Sequence, residues 1–573
     1  MKSTPSNLEP SPARPSWLPA PIGSLLLGVL WLLAWGAGLQ YRSLGEPDEG
    51  RYAEIAREML VSHDWVTPRL DGFTFFDKPP LHYWASATAY LAFGVHPWSA
   101  RLWCVLTGLL TMLAVGWAGA RLFGREVGGY AMVILGSSLV FAMAAHIDTL
   151  DIGVAAFLGI GMAFFMVAQF DPSAAPRRTW LHVLMWTALA LAILSKGLIG
   201  VVLPGLALVV FALWQRDLRM LWRTSPWIGL LVIAVVAAPW FVLICRVHPE
   251  FFDYFFIREH FTRFLTSEDG RNKPAWFFLV VVVLGLFPWT PMLPWRRSDW
   301  KVMEPSDPAR RFLLVWVAVT LLFFSASHSK LTFYVLPLWP AAALLLAWLV
   351  ARMPARSMMR RLWWLAALAG LAALALLVGM WTAHYANPQA IRPALLGGAA
   401  GLAIIALAAL AGSWAMRRDR RPFAIHLLAL SSLLAWQLVL VSSQSFVDLK
   451  SAAPVAEVVK AAMGPNTEIF VVRAAYQGGL PFYIGRLVTV VDVHRDDLTP
   501  GLAERPQGYI ADLPAFETRW KATPDALAVV KHGLLPQLRS DGLPFEQVAP
   551  PVGDLVVIRH TPPATGLAVP AGS

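Results

Sequence analysis

Long apolar runs dominate the sequence, and about thirteen of them are long enough to cross a bilayer as helices. Inside a membrane no water can satisfy an irregular backbone, so such runs must be helical. Only 14% of the 573 residues are charged, against about 25% in soluble domains. We therefore predict an all-α polytopic membrane protein. The predicted spans are 22–40, 99–120, 128–146, 152–169, 180–195, 198–214, 226–244, 275–295, 312–327, 331–350, 362–382, 393–415 and 423–444.

The basic residues between the spans predict the orientation of the chain. With the N-terminal tail 1–21 in the cytoplasm, nearly every basic cluster falls in a cytoplasmic loop, as in bacterial inner-membrane proteins. This distribution explains the net charge of +11 without nucleic-acid binding, which we do not expect. The long loop 41–98, the loop 245–274 and the region after 446 are then periplasmic. The cytoplasmic clusters begin at Arg121, Arg177, Arg216, Arg296, Arg352 and Arg417.

The region 447–573 changes character from apolar runs to short strand-like runs separated by helical or turn stretches. Such a mixture predicts a small α/β domain. We expect its final stretch, 562–573, to be disordered. The predicted strands are 468–472, 487–493, 527–530 and 554–558.

The densest polar cluster is the motif Asp-Glu-Gly-Arg-Tyr-Ala-Glu-Ile at 48–55. Pro47 and the acids after it favour the start of a helix, on which Asp48, Arg51 and Tyr52 share one face. A carboxylate, a guanidinium and a phenol on one face can act as base, phosphate clamp and positioning donor. The same pattern is typical of an ordinary amphipathic helix, so the residues alone leave both interpretations open.

The second cluster, at 76–84, surrounds a double proline. Lys78 can contact a phosphate as a point charge. Asp77 and His82 can contribute to a metal site, although two ligands are weak evidence for one. An interfacial loop with an aromatic anchor also fits this segment.

Further polar residues lie at the edges of spans. Asp151 follows a junction of two apolar spans, where an acid is either functional or the N-cap of the next helix. Lys196 interrupts an apolar stretch on the outer side, where the orientation rule makes a positive charge unexpected. It is either a functional cation or an ordinary lysine in a turn. Lys330 resembles it, with Tyr334 about one helical turn later.

The loop 245–274 is rich in phenylalanine and carries Arg258, His260 and Arg263. Basic groups among aromatics either bind an anionic lipid headgroup or snorkel to the interface. All of these clusters fall on the non-cytoplasmic side of the predicted topology. Acids, cations and aromatics therefore converge where a lipid-linked substrate would arrive.

The motif at 48–55, followed by Lys78 and Pro79, resembles the family of the bacterial lipid A aminoarabinose transferases and the protein O-mannosyltransferases. The resemblance extends over nearly the whole chain. It implies the GT-C fold, with a transmembrane catalytic domain at 22–446, a long periplasmic first loop at 41–98 and a periplasmic α/β domain at 447–573. It also implies an undecaprenyl-phosphate-linked sugar donor and catalysis in a periplasmic cavity.

The resemblance implies roles for individual residues. Asp48 matches the principal catalytic carboxylate and Asp151 a second acid. Asp77 matches an acid associated with a bound metal, although many relatives carry glutamate there. Four cations match positions that hold the carrier-lipid phosphate, namely Arg51, Lys78, Lys196 and Arg263. Three aromatic residues match the lining of that cavity, namely Tyr52, Tyr83 and Tyr334.

The expected activity is inverting transfer of a sugar, most specifically 4-amino-4-deoxy-L-arabinose, to lipid A phosphate. This modification of lipopolysaccharide is associated with polymyxin resistance. The expected partners are the lipid-linked sugar, lipid A or another envelope acceptor, and membrane lipids. No cofactor is required by this interpretation, and a divalent metal stays open.

Two alternatives to this function stay open. A transferase of the same superfamily could glycosylate another envelope glycan or a protein. A transporter of lipid-linked sugars would belong to a different class, but such proteins usually show repeated halves and broken helices at the midplane. No internal repeat is evident in the sequence.

Overall fold

The computed structural model describes residues 20–262, 273–303, 307–385, 387–493, 498, 501–502 and 504–561. A π-helical segment covers Asp253–Thr262. In chain order the α-helices are α1 (Ala20–Gly36), α2 (Asp48–Ser62), α3 (Leu81–Phe93), α4 (Pro97–Phe123), α5 (Arg125–Ser137), α6 (Leu139–Ala145), α7 (Leu150–Phe170), α8 (Arg178–Lys196), α9 (Ile199–Gln215), α10 (Arg219–Arg223), α11 (Pro226–Val236), α12 (Ala238–Val247), α13 (Phe277–Gly285), α14 (Arg297–Met303), α15 (Pro308–Ala326), α16 (Trp339–Arg352), α17 (Ala355–Thr382), α18 (Pro388–Met416), α19 (Arg421–Ser442), α20 (Gln444–Asp448), α21 (Ala453–Ala462), α22 (Leu480–Ile484), α23 (Leu513–Ala522) and α24 (Leu535–Ser540).

The chain is a multi-pass membrane protein. Within the described residues, eight helices are long and apolar enough to cross a membrane, or up to ten if each bent pair is one span. The bent pairs are α5 with α6, at 67°, and α11 with α12, at 43°. Two shorter apolar helices cover Leu26–Tyr41 and Ile199–Gln215. Each predicted span overlaps helical structure.

The predicted span 275–295 is only partly helical. It contains α13 and a 3₁₀ turn, Thr290–Met292. Pro288, Pro291 and Pro294 follow α13 closely, and proline cannot donate the backbone hydrogen bond that a continuing α-helix requires. The hydropathy of this stretch therefore overstated the length of its helix.

The first loop is a folded unit that contains α2, α3 and a small hairpin. Strands β1 (Arg69–Leu70) and β2 (Phe73–Thr74) pair antiparallel. Asp71 and Gly72 connect them with φ angles of 55° and 75°. Positive φ at both positions matches a type I′ turn, which Asp-Gly favours because glycine has no Cβ to clash.

The C-terminal domain contains a six-stranded mixed sheet in the order β5-β4-β3-β6-β8-β7. The four predicted strands are present as β3, β4, β6 and β8, whereas the edge strands β5 and β7 were not predicted. Strands β3 to β6 pair parallel, and β8 pairs antiparallel with β6 and β7. The strands of this sheet are β3 (Glu468–Val472), β4 (Thr489–Val491), β5 (Tyr509–Ile510), β6 (Ala526–Lys531), β7 (Phe545–Gln547) and β8 (Leu555–His560).

The two faces of the sheet enter different cores, since successive side chains of a strand point to opposite faces. On one face, Val471 and Val529 join Ile55 and Leu70 of the first loop in a single buried cluster. On the other face, the neighbouring strand residues pack against α23 and α24. The first loop and the C-terminal domain therefore share a hydrophobic core, which fixes the first loop above the membrane helices.

Candidate active site

The start of α2 places the first polar group of the site. Asp48 is the first residue of the helix, as predicted, and its side chain is 54% exposed. Arg51 donates a hydrogen bond of 2.6 Å to Oδ1 of Asp48 from the next turn. The Arg51 guanidinium also lies 5.2 Å from the centroid of the Tyr52 ring and 5.5 Å from that of Phe75, which are cation–π distances.

Three acids from separate sequence clusters influence the pKa of the buried phenol of Tyr52. Burial raises the pKa of the Tyr52 hydroxyl, and the positive charge of Arg51 opposes this rise. The negative charges of Asp48, Asp151 and Asp77 raise the pKa further. The charges of the three predicted acids therefore act on the same hydroxyl group.

The rings of Tyr52, His82 and Tyr83 form the buried aromatic side of this site. The Tyr52 centroid lies 5.8 Å from that of His82 and 6.2 Å from that of Tyr83. The Tyr83 hydroxyl has no hydrogen-bond partner among the described residues, although it is buried. An unsatisfied buried hydroxyl is costly, so this donor is suited to a bound ligand.

Asp151 and Lys196 meet at the ends of two membrane helices. The Lys196 ammonium pairs with the carboxylate of Asp151 and lies 4.3 Å from the centroid of the Tyr334 ring. The N-cap of α7 is Thr149, whose hydroxyl accepts a 3.3 Å hydrogen bond from the Asp151 backbone N–H. Asp151 therefore does not cap the helix, and its carboxylate contacts Lys196 instead.

Asp77 and Lys78 contact the second outer loop. The Lys78 ammonium lies 3.2 Å from Oε2 of Glu259 and 3.7 Å from Oδ2 of Asp77. The Tyr254 hydroxyl donates a 3.2 Å hydrogen bond to Oδ1 of Asp77. The structure thus adds Glu259 and Tyr254 to the site, neither of which was assigned a role from the sequence.

A metal at Asp77 stays a prediction. In the part of the chain that the structure describes, Asp77 belongs to no group of three potential metal ligands. The Lys78 ammonium beside it supplies a positive charge where a metal site would need another anionic or neutral donor. We therefore derive no step of the reaction through a metal at Asp77.

The remaining basic candidates are Arg263, His260, Lys330 and Arg258. Arg263 and the side chain of His260 lie outside the described residues. Lys330 is buried and donates a hydrogen bond to the backbone carbonyl of Ser327. The Arg258 guanidinium lies 5.4 Å from the centroid of the Tyr254 ring.

Glu49, next to Asp48, is the centre of a buried ion-pair network that the sequence analysis missed. Its carboxylate accepts hydrogen bonds from Nε of Arg101 at 2.7 Å and from Nη2 of Arg42 at 3.3 Å. The backbone N–H groups of Gly45 and Asp148 donate to it at 2.9 Å each. Burial alone would raise the pKa of Glu49, but the two arginines lower it to about 2.

A signal for this network was present in the sequence. Arg101 falls inside the predicted span 99–120, and an arginine near hydrocarbon requires a partner. Glu49 is rotated about 100° from Asp48 on a helix of 3.6 residues per turn, so the two acids cannot share a face. The network joins α2 to α4 and to the loop before α7 and so fixes the position of Asp48.

Family models match two parts of the chain. Residues 455–559 match the model described as aminoarabinose transferase C-terminal domain. Residues 24–255 match the model described as dolichyl-phosphate-mannose-protein mannosyltransferase. The two matches cover the C-terminal domain and the N-terminal half of the membrane body with its first loop.

Curated relatives carry names that describe one reaction. An undecaprenyl phosphate-alpha-4-amino-4-deoxy-L-arabinose arabinosyl transferase of Sodalis glossinidius (strain morsitans) is 36% identical over 331 residues, or 56% of this chain. One of Erwinia tasmaniensis is 33% identical over 328 residues. In each case the match covers 58% of the relative's length.

Solved structures extend the similarity to the whole chain. The archaeal oligosaccharyltransferase of Archaeoglobus fulgidus, at 13% identity and a TM-score of 0.51, shares the fold alone. ArnT of Cupriavidus metallidurans, in a structure bound to undecaprenyl phosphate, has a TM-score of 0.88 and 31% sequence identity. That match covers 94% of this chain and 98% of ArnT. Since sequence and fold agree over almost the full length of both proteins, the chain belongs to the ArnT family of GT-C membrane proteins.

Proposed function

We propose that this protein transfers 4-amino-4-deoxy-L-arabinose from an undecaprenyl phosphate carrier to a phosphate of lipid A. The reaction takes place on the periplasmic side of the bacterial inner membrane. The observation that carries this proposal is that Asp48, Asp151 and Asp77 each lie within ion-pairing distance of a cation, and that all three charges act on Tyr52. The similarity to an ArnT that binds undecaprenyl phosphate supports the class of donor.

The cations of the site hold the carrier phosphate in this proposal. Arg51 can form two parallel hydrogen bonds to a phosphate, whereas Lys78 and Lys196 act as point charges. Each of the three already contacts a carboxylate, which holds the side chain in place before substrate arrives. Arg263 is assigned to the same phosphate by the family resemblance. Fixed positive charges stabilise the leaving phosphate as charge develops in the transition state.

Asp48 and Asp151 have different roles because their exposure and contacts differ. Asp48 is open to solvent and orients the acceptor. A lipid A phosphate is already ionised and needs no base, but Asp48 would deprotonate an acceptor hydroxyl. Asp151, held by Lys196 beside Tyr334, orients the sugar or its amine. Attack opposite the leaving phosphate inverts the anomeric centre.

The test is mass analysis of lipid A from cells with and without this protein, combined with transfer by the purified enzyme from a synthetic lipid-linked aminoarabinose. Asp48→Asn should abolish transfer and polymyxin protection while leaving the protein folded. Glu457→Gln is the matched control, since Glu457 also forms an exposed i,i+3 ion pair but lies on α21. Normal transfer by Asp48→Asn would remove Asp48 from the catalytic role.

A second candidate function is transfer of a hexose to a protein or to another envelope glycan. The match of residues 24–255 to a protein mannosyltransferase model favours this candidate. Purified enzyme supplied with one defined lipid donor at a time, and with lipid A or peptide acceptors, separates the two functions. Labelled peptide without labelled lipid A would replace the first proposal with the second.

A further inference from the structure

Three potential metal ligands from different segments meet behind the aromatic side of the site. His82 lies in the first turn of α3, Cys104 lies in α4, and Asp148 precedes α7. Their ligand atoms all lie within 4.8 Å of one another, and all three residues are buried. Oδ1 of Asp148 is 2.8 Å from Nε2 of His82 and 3.8 Å from Sγ of Cys104.

Protein contacts leave several polar atoms of this cluster unsatisfied. Nδ1 of His82 and Oδ2 of Asp148 have no hydrogen-bond partner among the described residues, and Nε2 of His82 has only its 2.8 Å contact with Oδ1 of Asp148. Leaving a buried polar atom unsatisfied is costly, and native proteins retain few such atoms. One cation bound between these residues would satisfy imidazole and carboxylate together.

The donor set selects the class of metal. A thiolate and an imidazole are ligands of zinc-class divalent ions, whereas magnesium and calcium prefer oxygen. Zinc–ligand bonds of about 2.0–2.3 Å in tetrahedral geometry place ligand atoms roughly 3.3–3.6 Å apart. The observed separations of 2.8 and 3.8 Å lie within about half an ångström of that range. The third separation, between His82 and Cys104, is within 4.8 Å.

The charge of the cluster also suits a divalent ion. As metal ligands, a Cys104 thiolate and an Asp148 carboxylate would together carry two negative charges, and a neutral His82 imidazole would add none. A divalent cation would therefore leave this buried site without net charge, which avoids the large cost of burying an unpaired charge.

We propose that His82, Cys104 and Asp148 bind one zinc-class divalent cation. The ion joins α3, α4 and the segment before α7 directly behind Tyr52, whose ring is 5.8 Å from that of His82. It also fixes Asp148, whose backbone N–H donates to Glu49 at 2.9 Å. The ion thus positions the buried side of the pocket, and its ligands differ from Asp77.

The first test is the metal content of the purified full-length protein, measured by plasma mass spectrometry after exposure to zinc and removal of loosely bound ions. We expect about one zinc per chain in the wild type and loss of most of it in Cys104→Ser and Asp148→Asn. Cys245→Ser is the matched control and should keep its zinc, because Cys245 is the other cysteine of the chain. A wild type without zinc, or a folded Cys104→Ser protein with full zinc, overturns the proposal.

A second test needs no variant in the cluster and so does not depend on how such a variant folds. Wild-type protein loaded with Co²⁺ should show the near-ultraviolet charge-transfer band of a thiolate ligand. X-ray absorption of the zinc form should show one sulfur at about 2.3 Å. Asp77→Asn should retain both signals. A first shell without sulfur, or loss of the metal in Asp77→Asn, would assign the ion elsewhere and overturn the proposal.

Discussion

Asp48 and Glu49 are neighbours in the chain but point in different directions from α2. Asp48 has more than half of its side chain exposed, whereas Glu49 is buried between Arg101 and Arg42. One acid is therefore free to meet a substrate, and the other fixes the helix that presents it. This division of roles between adjacent carboxylates leads to two tests at the level of single residues.

Glu49→Gln should destabilise the protein by about 3–5 kcal/mol, because it leaves Arg101 buried without its counter-charge. Thermal and denaturant unfolding in detergent would measure this loss. Glu457→Gln, which breaks an exposed ion pair, should change the free energy of unfolding by no more than about 0.5 kcal/mol. Equal effects of the two substitutions would contradict the structural role of Glu49.

The stabilising effect of Glu49 should depend on pH in a defined window. Its pKa in the folded protein is lowered from 4.5 to about 2, so the charged form favours folding. The contribution is complete above pH 4.5 and is lost as the pH falls towards 2. The difference in stability between wild type and Glu49→Gln should shrink across this interval. A constant difference would show that the ion pairs with the arginines do not cause it.

Spacing on a helix was sufficient to predict that Asp48, Arg51 and Tyr52 share a face, because that contact is local. The contact of Lys196 with Asp151 joins two helices 45 positions apart, and residue spacing carries no information on such contacts. Arg101 could have been recognised as requiring a partner, but its sequence environment did not identify Glu49. Cys104 gave no signal, since a lone cysteine in an apolar span is ordinary core.

Helix α2 and the β1–β2 turn carry a second group of buried acids. Arg57 forms hydrogen bonds of 2.7 and 2.6 Å to the two carboxylate oxygens of Glu54. Glu58 accepts from the Gly72 N–H, and Asp71 accepts from the Val488 N–H, both at 2.8 Å. Burial, with the charge of Glu54 as a further contribution, raises the pKa of Glu58 and of Asp71 well above their ordinary values.

Glu58→Gln should therefore stabilise the protein at alkaline pH. The folded state favours protonated Glu58, so wild-type stability falls as the pH rises above the ordinary pKa of 4.5. A neutral glutamine removes this loss. The melting temperature of the variant should exceed that of the wild type by more at pH 8 than at pH 5. Parallel pH profiles of the two proteins would show that Glu58 does not titrate in this way.

Hydropathy located the membrane helices because burial in lipid imposes one strong requirement on their sequence. It did not predict the bend between α5 and α6, where the hydroxyls of Ser137 and Ser138 bond back to the preceding turn, or the bend between α11 and α12, where Pro239 follows. The edge strands β5 and β7 have two and three residues, too few for an alternating pattern to be recognised. In β7 the last two residues, Glu546 and Gln547, are also polar and exposed.

The first loop and the C-terminal domain form one structural unit across a distance of some 400 positions in the chain. Ile55 and Leu70 of the loop share a buried cluster with Val471 and Val529 of the sheet. The α/β character of the C-terminal domain was predicted from its strand pattern. The shared core was not predicted, because the apolar residues of the loop and of the sheet could equally have packed within their own segments. The predicted membrane orientation stays a prediction.

A chain that ends at Lys450 should lose the order of its first loop, because the apolar cluster around Ile55 and Leu70 becomes exposed to water. Limited proteolysis followed by mass spectrometry should show rapid cleavage between residues 41 and 96. In the control, the full-length protein is cut after Lys450 and its C-terminal domain stays bound. Its first loop should resist proteolysis, because the shared core does not depend on the covalent connection. Equal resistance of the truncated chain would show that the loop folds without the sheet.

Helix α23 packs on the face of the sheet that is turned away from the first loop. Its residues Thr518, Arg519 and Lys521 are exposed. Because the opposite side of the sheet is fixed to the loop, a nanobody bound to these residues would move as one body with the membrane helices. Such a nanobody would serve as an alignment marker for single-particle electron microscopy of a small protein hidden in a detergent micelle. It would also leave the substrate pocket open, so donor and acceptor complexes could be imaged with the same marker.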